Sequence, residues 1–523
     1  MKSKAVKVLA VIMSVLILVS AFSVGSMSFA ATTYENDVPI VYVYGAGRTV
    51  YDMNEENVVY PVKANLADAI MQEVDVLLAA FTLSATNGNW DPYCNELVRV
   101  VSGVYESAAL DVNGEASNGT HAIPSKAPKK KTSNFVLSDY VFNYDSRIDP
   151  YAVAEDLHSY IKQVMKATGS SKVQLVSRCL GCNVVAAYIT RYGGSLLESL
   201  LFYVPAVKGA IACSEGFSGE IVFNADYIDS YVSGGNIGAG SEVADMLEAL
   251  VSVTQTLSLL GLGTDLVQSV YDQIADRIVP ELVLATYGTM PAYWSMVDEE
   301  HFEKAKSVVF AGKEDIYAGL IEKIDFYHEN VMIPFYDNLL ALNQQGVKVQ
   351  IIAKYNVQCP PFFGSGLAQT DGDITVEDVS FGATTAGNIG ETFDAAYLFE
   401  AKQSGVANYI SKDYMVDSST CLFPDYTWFV KDMAHEDFST CANKIMYEFL
   451  RKDKQLTVWN GEYSQFLHYD KANNALEPVT ASQASGSVGG SNNSNTGNQG
   501  ILSLLIKIVN ILLSLFKGLF GIG

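Results

Sequence analysis

The sequence has few positive charges for its length. Of its 523 residues, 34 are lysine or arginine and 58 are aspartate or glutamate, so that the formal net charge is −24. A chain this acidic does not attract a nucleic-acid backbone by charge, and we expect no nucleic-acid partner. The short basic run Lys129–Lys131 lies in a stretch with proline and serine, which favours a solvated loop.

The sequence also lacks complete metal-ligand patterns and the cysteine pattern of a disulfide scaffold. Seven cysteines cannot all pair within one chain, and their wide spacing is unlike that of a small disulfide scaffold. Cys179 and Cys182 lack the second ligand pair that a Cys-x-x-Cys metal site needs. The turn Asp371-Gly372-Asp373 lacks the further ligands of a calcium loop. We therefore expect no bound metal and no cofactor.

The first thirty residues have the pattern of a signal peptide. Three lysines fall within the first seven residues, residues 8–19 are apolar, and Ser28-Phe29-Ala30 is a small-x-small cleavage site. We expect the mature chain to begin near Ala31 and to be exported. A retained membrane anchor is the alternative.

The last 43 residues comprise two segments of different character. Residues 481–500 are almost entirely serine, glycine, asparagine, glutamine and threonine, which is typical of a flexible linker. Residues 501–523 are apolar apart from five residues at helical spacing: Ser503, Lys507, Asn510, Ser514 and Lys517. An apolar helix with a narrow cationic stripe suits a membrane surface. A membrane span and a helix docked on another protein are the alternatives. We expect a secreted protein that associates with a membrane or the cell surface.

Between the termini, strand and helix patterns alternate. The predicted elements are a strand at 38–44, a helix at 64–85, a strand at 140–144, a helix at 151–168 that opens on Pro150, a strand at 173–177, a helix at 181–192 and a strand at 200–204. Residues 86–133 are interpreted as a polar, irregular insertion. Such alternation predicts a mostly parallel sheet with helices on both faces.

The alternation is interrupted once. Residues 206–345 are rich in helix patterns and glycine breaks, and we interpret them as a helical cap. Strands at 347–353 and 427–432 and a helix at 436–450 then resume the pattern. The sheet domain would thus comprise residues 31–205 and 346–480.

The stretch 173–188 combines a strand, a sharp corner and a helix. Cys179 stands at the corner, and small residues, Ser177 and Gly181, lie two positions before and after it. This arrangement resembles the nucleophile elbow of α/β hydrolases, in which Gly-x-Ser-x-Gly makes the same turn. The expected fold is therefore an α/β-hydrolase fold with an inserted helical cap, and Cys179 is the candidate nucleophile.

A nucleophile at such an elbow needs an acid and a histidine, in that order along the chain. Asp371 and Asp373 lie in a turn beyond the strand at 347–353. Two of the six histidines follow them: His435, just after a strand, and His468, in a polar segment. His435 is the predicted general base, since the carboxyl end of a strand is where a base must lie. A surface histidine that caps the next helix is the alternative.

Gly45-Ala46-Gly47 follows the first predicted strand. A glycine-rich turn at this point supplies half of the oxyanion hole in that fold. A plain turn is the alternative.

Two further motifs resemble the lecithin:cholesterol acyltransferase family and its lysosomal phospholipase relatives. Residues 142–150, Phe-Asn-Tyr-Asp-Ser-Arg-Ile-Asp-Pro, resemble the family's Tyr-Asp-Trp-Arg stretch, and residues 371–376 resemble its Asp-Gly-Asp-x-Thr-Val motif. The resemblance implies Asp373 as the orienting acid, with Asp371 as second choice, and the amides of Ala46 and Leu180 as the oxyanion hole. The family carries serine where this chain has Cys179.

The expected activity is hydrolysis or transfer of an acyl group from a lipid-like ester through an acyl-thioester on Cys179. A thiol ionises more readily than a hydroxyl, so a cysteine can serve as the nucleophile at this position. Two other classes stay open. One is a catalytically inactive α/β-hydrolase-fold protein that serves as a surface binding module. The other is a thiol–disulfide oxidoreductase that uses Cys179-Leu180-Gly181-Cys182.

Overall fold

The computed structural model describes residues 37–62, 66–224, 226–227, 230–231, 264–451 and 454–482. The expected signal peptide at 1–30, all but the first two residues of the expected linker, and the apolar tail at 501–523 lie outside this part of the chain. Within the described ranges, no helix has both the length and the apolar character needed to cross a bilayer.

The chain is a mixed α/β protein built on an eight-stranded sheet with the order β5-β1-β6-β7-β8-β11-β12-β13. All neighbouring strands are parallel except β12 and β13, which are antiparallel. Two small sheets, β3-β2-β4 and β9-β10, lie apart from it. The strands are β1 (Ile40–Val43), β2 (Val50–Tyr51), β3 (Val58–Tyr60), β4 (His121–Ala122), β5 (Tyr140–Phe142), β6 (Val173–Cys179), β7 (Leu197–Pro205), β8 (Lys348–Tyr355), β9 (Thr384–Thr385), β10 (Val416–Asp417), β11 (Thr427–Lys431), β12 (Phe466–Asp470) and β13 (Ala475–Pro478).

The central strands are buried on both faces, as expected for a parallel sheet covered by helices. All eight residues of β8 are buried, and β6 is buried up to its last residue. The helices are α1 (Leu66–Gln72), α2 (Val74–Asn87), α3 (Asp91–Tyr105), α4 (Pro150–Thr168), α5 (Leu180–Tyr192), α6 (Ile211–Phe217), α7 (Thr264–Ala285), α8 (Pro291–Trp294), α9 (Phe302–Val309), α10 (Ala318–Tyr327), α11 (Phe335–Gln344), α12 (Val376–Ser380), α13 (Ala395–Gln403) and α14 (Thr440–Leu450).

Helix α4 begins where the sequence indicates. The Asp149 side chain accepts a hydrogen bond from the Tyr151 amide, and Pro150 occupies the first turn, where its missing N–H costs nothing. Gly169, in the left-handed conformation with φ of 76°, ends the helix.

The prediction of an irregular segment at 86–133 was wrong in its first third. Helix α3 occupies residues 91–105 and buries an apolar stripe that includes Leu97 and Val101. This stripe packs in a second apolar cluster, distinct from the core of the sheet, together with Phe81 of α2 and Ile278 of α7. The segment interpreted as a cap therefore shares a core with helices α2 and α3, which precede β5 in the chain.

The carboxyl ends of the neighbouring parallel strands β1, β6, β7, β8 and β11 lie side by side in the sheet. The residues that follow these strands therefore meet at one edge. Gly45 follows β1, Cys179 ends β6, and His435 follows β11. This edge is where open α/β sheets place their ligand sites.

Candidate active site

Cys179 lies at the corner between β6 and α5. Its backbone has φ of 49° and ψ of −128°, a region that costs a non-glycine residue of order 1–3 kcal/mol and is concentrated at functional sites. It is also the one residue of β6 that is not fully buried. The corner therefore presents the sulfur at the edge of the sheet.

Two glycines permit the close approach on either side of the corner. A Cβ added at Gly181 would lie 2.6 Å from the Val43 carbonyl oxygen and closer still to that of Tyr44. A Cβ added at Gly45 would lie 3.0 Å from the Cys179 Cβ. The start of α5 thus presses on the end of β1, and a larger residue at Gly181 would displace one of them.

His435 and Asp371 form a buried pair beside this corner. His435 Nδ1 donates to Asp371 Oδ2 at 2.7 Å, and the His435 amide donates to the Asp371 carbonyl, also at 2.7 Å. Asp371 Oδ1 accepts from the amides of Ile374 and Asp373 at 2.9 and 3.1 Å. Burial opposes ionisation of Asp371, but His435 and these amides hold the pKa of its carboxyl below the usual value.

The second ring nitrogen of His435 is available for proton transfer. Nε2 is buried and has no hydrogen-bond partner among the described residues. Burial by itself would lower the pKa of His435, yet the Asp371 carboxylate and the nearby Cys179 sulfur raise it well above the usual range. Asp371 therefore fixes the ring, while Nε2 is available to take a proton from a neighbouring thiol.

The ranking of the two acids from sequence requires correction. Asp371, the second choice, makes the hydrogen bond to His435, whereas Asp373, the first choice, does not. In the turn Asp371-Gly372-Asp373 the Asp373 carbonyl instead accepts from the Ile211 amide at 3.0 Å, and burial raises the pKa of the Asp373 carboxyl to about 6. The family motif locates the turn but does not select the residue within it.

Asp373 belongs to a group that could hold a metal ion. One oxygen of Asp373, one ring nitrogen of His435 and one oxygen of Glu436 lie within 4.8 Å of one another. Glu436 is already ion-paired with Arg178 at 2.8 Å, and His435 is already bonded to Asp371. To bind an ion, Glu436 would have to share its carboxylate with Arg178, whereas His435 could offer Nε2 and keep its Nδ1 bond to Asp371.

Ala46 and Leu180 are the predicted oxyanion-hole residues. Leu180 is the first residue of α5, whose first-turn amides have no acceptor within the helix. Ala46 follows Gly45, and a Cβ added at Gly45 would lie 3.0 Å from the Cys179 Cβ. Their role as an oxyanion hole stays a prediction.

The other histidines are held elsewhere. His468 lies on β12 and faces Asp432 at 3.3 Å rather than either acid of the 371 turn. The remaining four are engaged as follows: His121 with Glu55, His158 stacked on Tyr192, His301 with Asp298 and Glu220, and His328 stacked on Phe302.

Both cysteines of the Cys-x-x-Cys motif are free thiols, as are the other five. Cys182 is fully buried inside α5, and burial raises the pKa of its thiol. A resolving thiol in an oxidoreductase would have to reach Cys179 from this position.

Two buried cations that the sequence analysis did not place support the histidine. Arg178 is 5% exposed, and its Nη2 donates to Glu436 Oε2. Lys354 is fully buried near the end of β8 and donates to carbonyls of the His435 loop. The sequence contained a signal for this burial, because Lys354 directly continues the apolar strand predicted at 347–353.

No family model matches the chain, and no curated protein matches it. A solved structure titled "The crystal structure of Tle4-Tli4 complex" aligns over 61% of this chain and 75% of its own chain, with 12% identity and a TM-score of 0.23. A likeness at that score carries no argument about this chain's activity.

Proposed function

We propose that the chain is an α/β-hydrolase-fold enzyme that hydrolyses or transfers acyl groups through an acyl-thioester on Cys179. The observation that supports this most strongly is the buried hydrogen bond between His435 Nδ1 and Asp371, together with Cys179, which lies in a strained corner near enough to raise the pKa of the His435 ring. This is the relation of nucleophile, base and orienting acid that acyl transfer requires.

In the first half-reaction, the Cys179 thiol gives its proton to His435 Nε2 and the sulfur attacks the ester carbonyl. A carbon–sulfur bond forms, and the oxyanion develops near the amides of Leu180 and Ala46. When the intermediate collapses, the carbon–oxygen bond breaks and the leaving alcohol takes the proton from His435. Asp371 stabilises the imidazolium throughout.

In the second half-reaction, water or another hydroxyl gives its proton to His435 and attacks the thioester. The carbon–sulfur bond breaks and Cys179 regains its proton, which yields the free acid or a new ester. Hydrolase and transferase activity differ only in this acceptor.

A lipid-like substrate is the proposed class. It is supported by the resemblance of residues 142–150 and 371–376 to a family that acts on lipid esters. The proposed export and membrane association depend on residues 1–30 and 501–523 and are independent of the site.

Intact-mass spectrometry tests the proposal directly. The full chain lacking residues 1–30 is incubated with p-nitrophenyl esters of increasing acyl length, under conditions that keep thiols reduced. We expect a mass gain of one acyl group, which is absent in Cys179→Ala and present in the matched control Cys182→Ala, because Cys182 is buried three residues further along the chain.

The same experiment decides between the classes. If no ester or thioester leaves an adduct on the wild type, the chain is better described as an inactive surface binding module. An adduct that survives in Cys179→Ala would assign the nucleophile elsewhere. The acyl length that gives the fastest adduct defines the substrate class.

A further inference from the structure

Lys354 lies directly beneath the loop that carries His435. Its side chain is completely buried, and its Nζ donates to three backbone carbonyls: Ala434 at 2.8 Å, His435 at 3.0 Å and Asp437 at 2.7 Å. An ammonium group has three donors, so all three are used within one four-residue segment. The group also lies 4.7 Å from the centre of the Tyr203 ring.

A buried ammonium bonded to carbonyls is costly to maintain. Transfer of a charge out of water is compensated only when every donor finds an acceptor. Burial and the like charge of Arg178 lower the pKa of Lys354 to about 7, whereas three carboxylates oppose that shift: Asp371, Asp437 and Glu436. A methionine or leucine would fill the same space without this cost, so the lysine at this position calls for an explanation.

The three hydrogen bonds hold the backbone around His435, whose ring must face Cys179 in the proposed reaction. The His435 carbonyl accepts from Lys354 at 3.0 Å and from Arg178 Nη2 at 3.4 Å. The His435 amide and ring are both bonded to Asp371. The backbone of His435 is thus fixed at both ends, by an acid on one side and two cations on the other.

We propose that Lys354 is a positioning residue that holds the loop of residues 434–437 so that His435 Nε2 faces Cys179. This inference rests on the proposed function for its catalytic consequence. The loop has no regular secondary structure of its own before α14 begins at Thr440, and so its shape depends on such external bonds.

The test compares two lysines of one strand. Lys348 and Lys354 both lie on β8, six residues apart and therefore on the same face of the sheet, but at opposite ends of the strand. Lys348 is also buried, and it pairs with Glu198 at 3.1 Å, far from the loop along the strand. Lys348→Met is thus a matched control for Lys354→Met.

We expect Lys354→Met to slow acylation by about 10–100-fold at unchanged KM, since a misplacement of about 1 Å is enough for such a loss. The far-downfield proton resonance of His435 Nδ1–H should shift or broaden in the same variant. Lys348→Met should change neither. If Lys354→Met keeps both the rate and the resonance, or if Lys348→Met alters both equally, Lys354 does not position His435.

Thermal melts establish whether Lys354→Met folds. If it does not, the wild type with ¹⁵N-labelled lysine decides. The His435 Nδ1–H resonance should then show a step at the pH where the Lys354 Nζ signal changes, in addition to any step from its own ring, and the lack of a step at that pH would overturn the proposal. The resonance tests the positioning even if the wild type forms no acyl adduct, so that failure of the proposed function is recognised separately.

Discussion

The corner at Cys179 and the loop at His435 reach the same edge of the sheet by opposite means. The corner lies between β6 and α5, which are adjacent in sequence, and small residues next to it make it possible. The loop depends on partners that are 64, 81 and 257 residues away: Asp371, Lys354 and Arg178. One half of the site is thus encoded locally, and the other is assembled by the tertiary fold.

The two halves also differ in where their energetic cost lies. The corner carries it in the backbone, at the positive φ of Cys179. The loop has its cost in side chains: two buried cations, the buried Asp371 carboxylate and the part-buried Glu436 carboxylate, whose opposite charges compensate one another. Local substitutions should therefore disturb the corner sterically, and the loop should respond to loss of charge.

The largest expected effect is a loss of acylation rate, and it distinguishes the two acids of the turn Asp371-Gly372-Asp373. Asp371→Asn should slow acylation by about 10³–10⁴-fold, since an amide in place of the carboxylate selects the wrong imidazole tautomer. Asp373→Asn, two residues away in the same turn, should cost less than about 10-fold, because the Asp371 bond to His435 is intact. Rates of adduct formation measure both, and a larger loss in Asp373→Asn than in Asp371→Asn would restore the family-based ranking.

The corner should be broken by a single methyl group. Gly181→Ala should slow acylation by about 100-fold and lower the free energy of unfolding by about 1–3 kcal/mol, because the added Cβ meets backbone carbonyls. Gly103→Ala is the control, since Gly103 lies in helix α3 with nothing within 4 Å of an added Cβ. That substitution should be neutral or slightly stabilising, as chemical denaturation would show.

Loss of the ion pair between Glu436 of the loop and Arg178 should have a moderate effect on stability. Glu436→Gln leaves Arg178 buried without its charged partner. The loss in unfolding free energy should be about 1–2 kcal/mol, below the ~3–5 kcal/mol of a fully buried pair, because the Glu436 side chain is 26% exposed. Glu155→Gln, which breaks the pair of Arg191 with a 63% exposed glutamate, should cost less than about 0.5 kcal/mol.

The most gradual effect is a change of stability with pH. The pKa of Lys354 is lowered to about 7 in the folded chain, whereas the unfolded chain keeps a lysine pKa of about 10.4. Between these values the unfolded state binds the extra proton, so this group makes the wild type more stable as pH rises. Lys354→Met lacks that contribution.

The stability advantage of the wild type over Lys354→Met should therefore grow from pH 7 towards pH 10, by at most about 1.4 kcal/mol per unit. Urea denaturation at several pH values measures it, with Lys348→Met as control. A difference that does not change with pH would mean that Lys354 is charged throughout this range.

The contrast between corner and loop also explains what the sequence could reveal. The strand, the turn and helix α5 were predicted because Ser177, Cys179 and Gly181 carry the signal within five residues. Helix α3 was missed although Tyr93, Leu97, Val100 and Val101 follow helical spacing, since the polar residues around them dominated the interpretation. Asp371 and Lys354 could not be ranked in advance, because a contact across 64 or 81 residues has no local pattern.

The second apolar cluster has a consequence for biosynthesis. Its first helices, α2 and α3, are complete at Tyr105, but their partner α7 ends at Ala285. At ribosomal speeds of about 5–20 residues per second, the interval is about 10–40 seconds. During that time apolar side chains such as Phe81 and Leu97 have no helix α7 to pack against, so the nascent chain is expected to engage a chaperone at this stage.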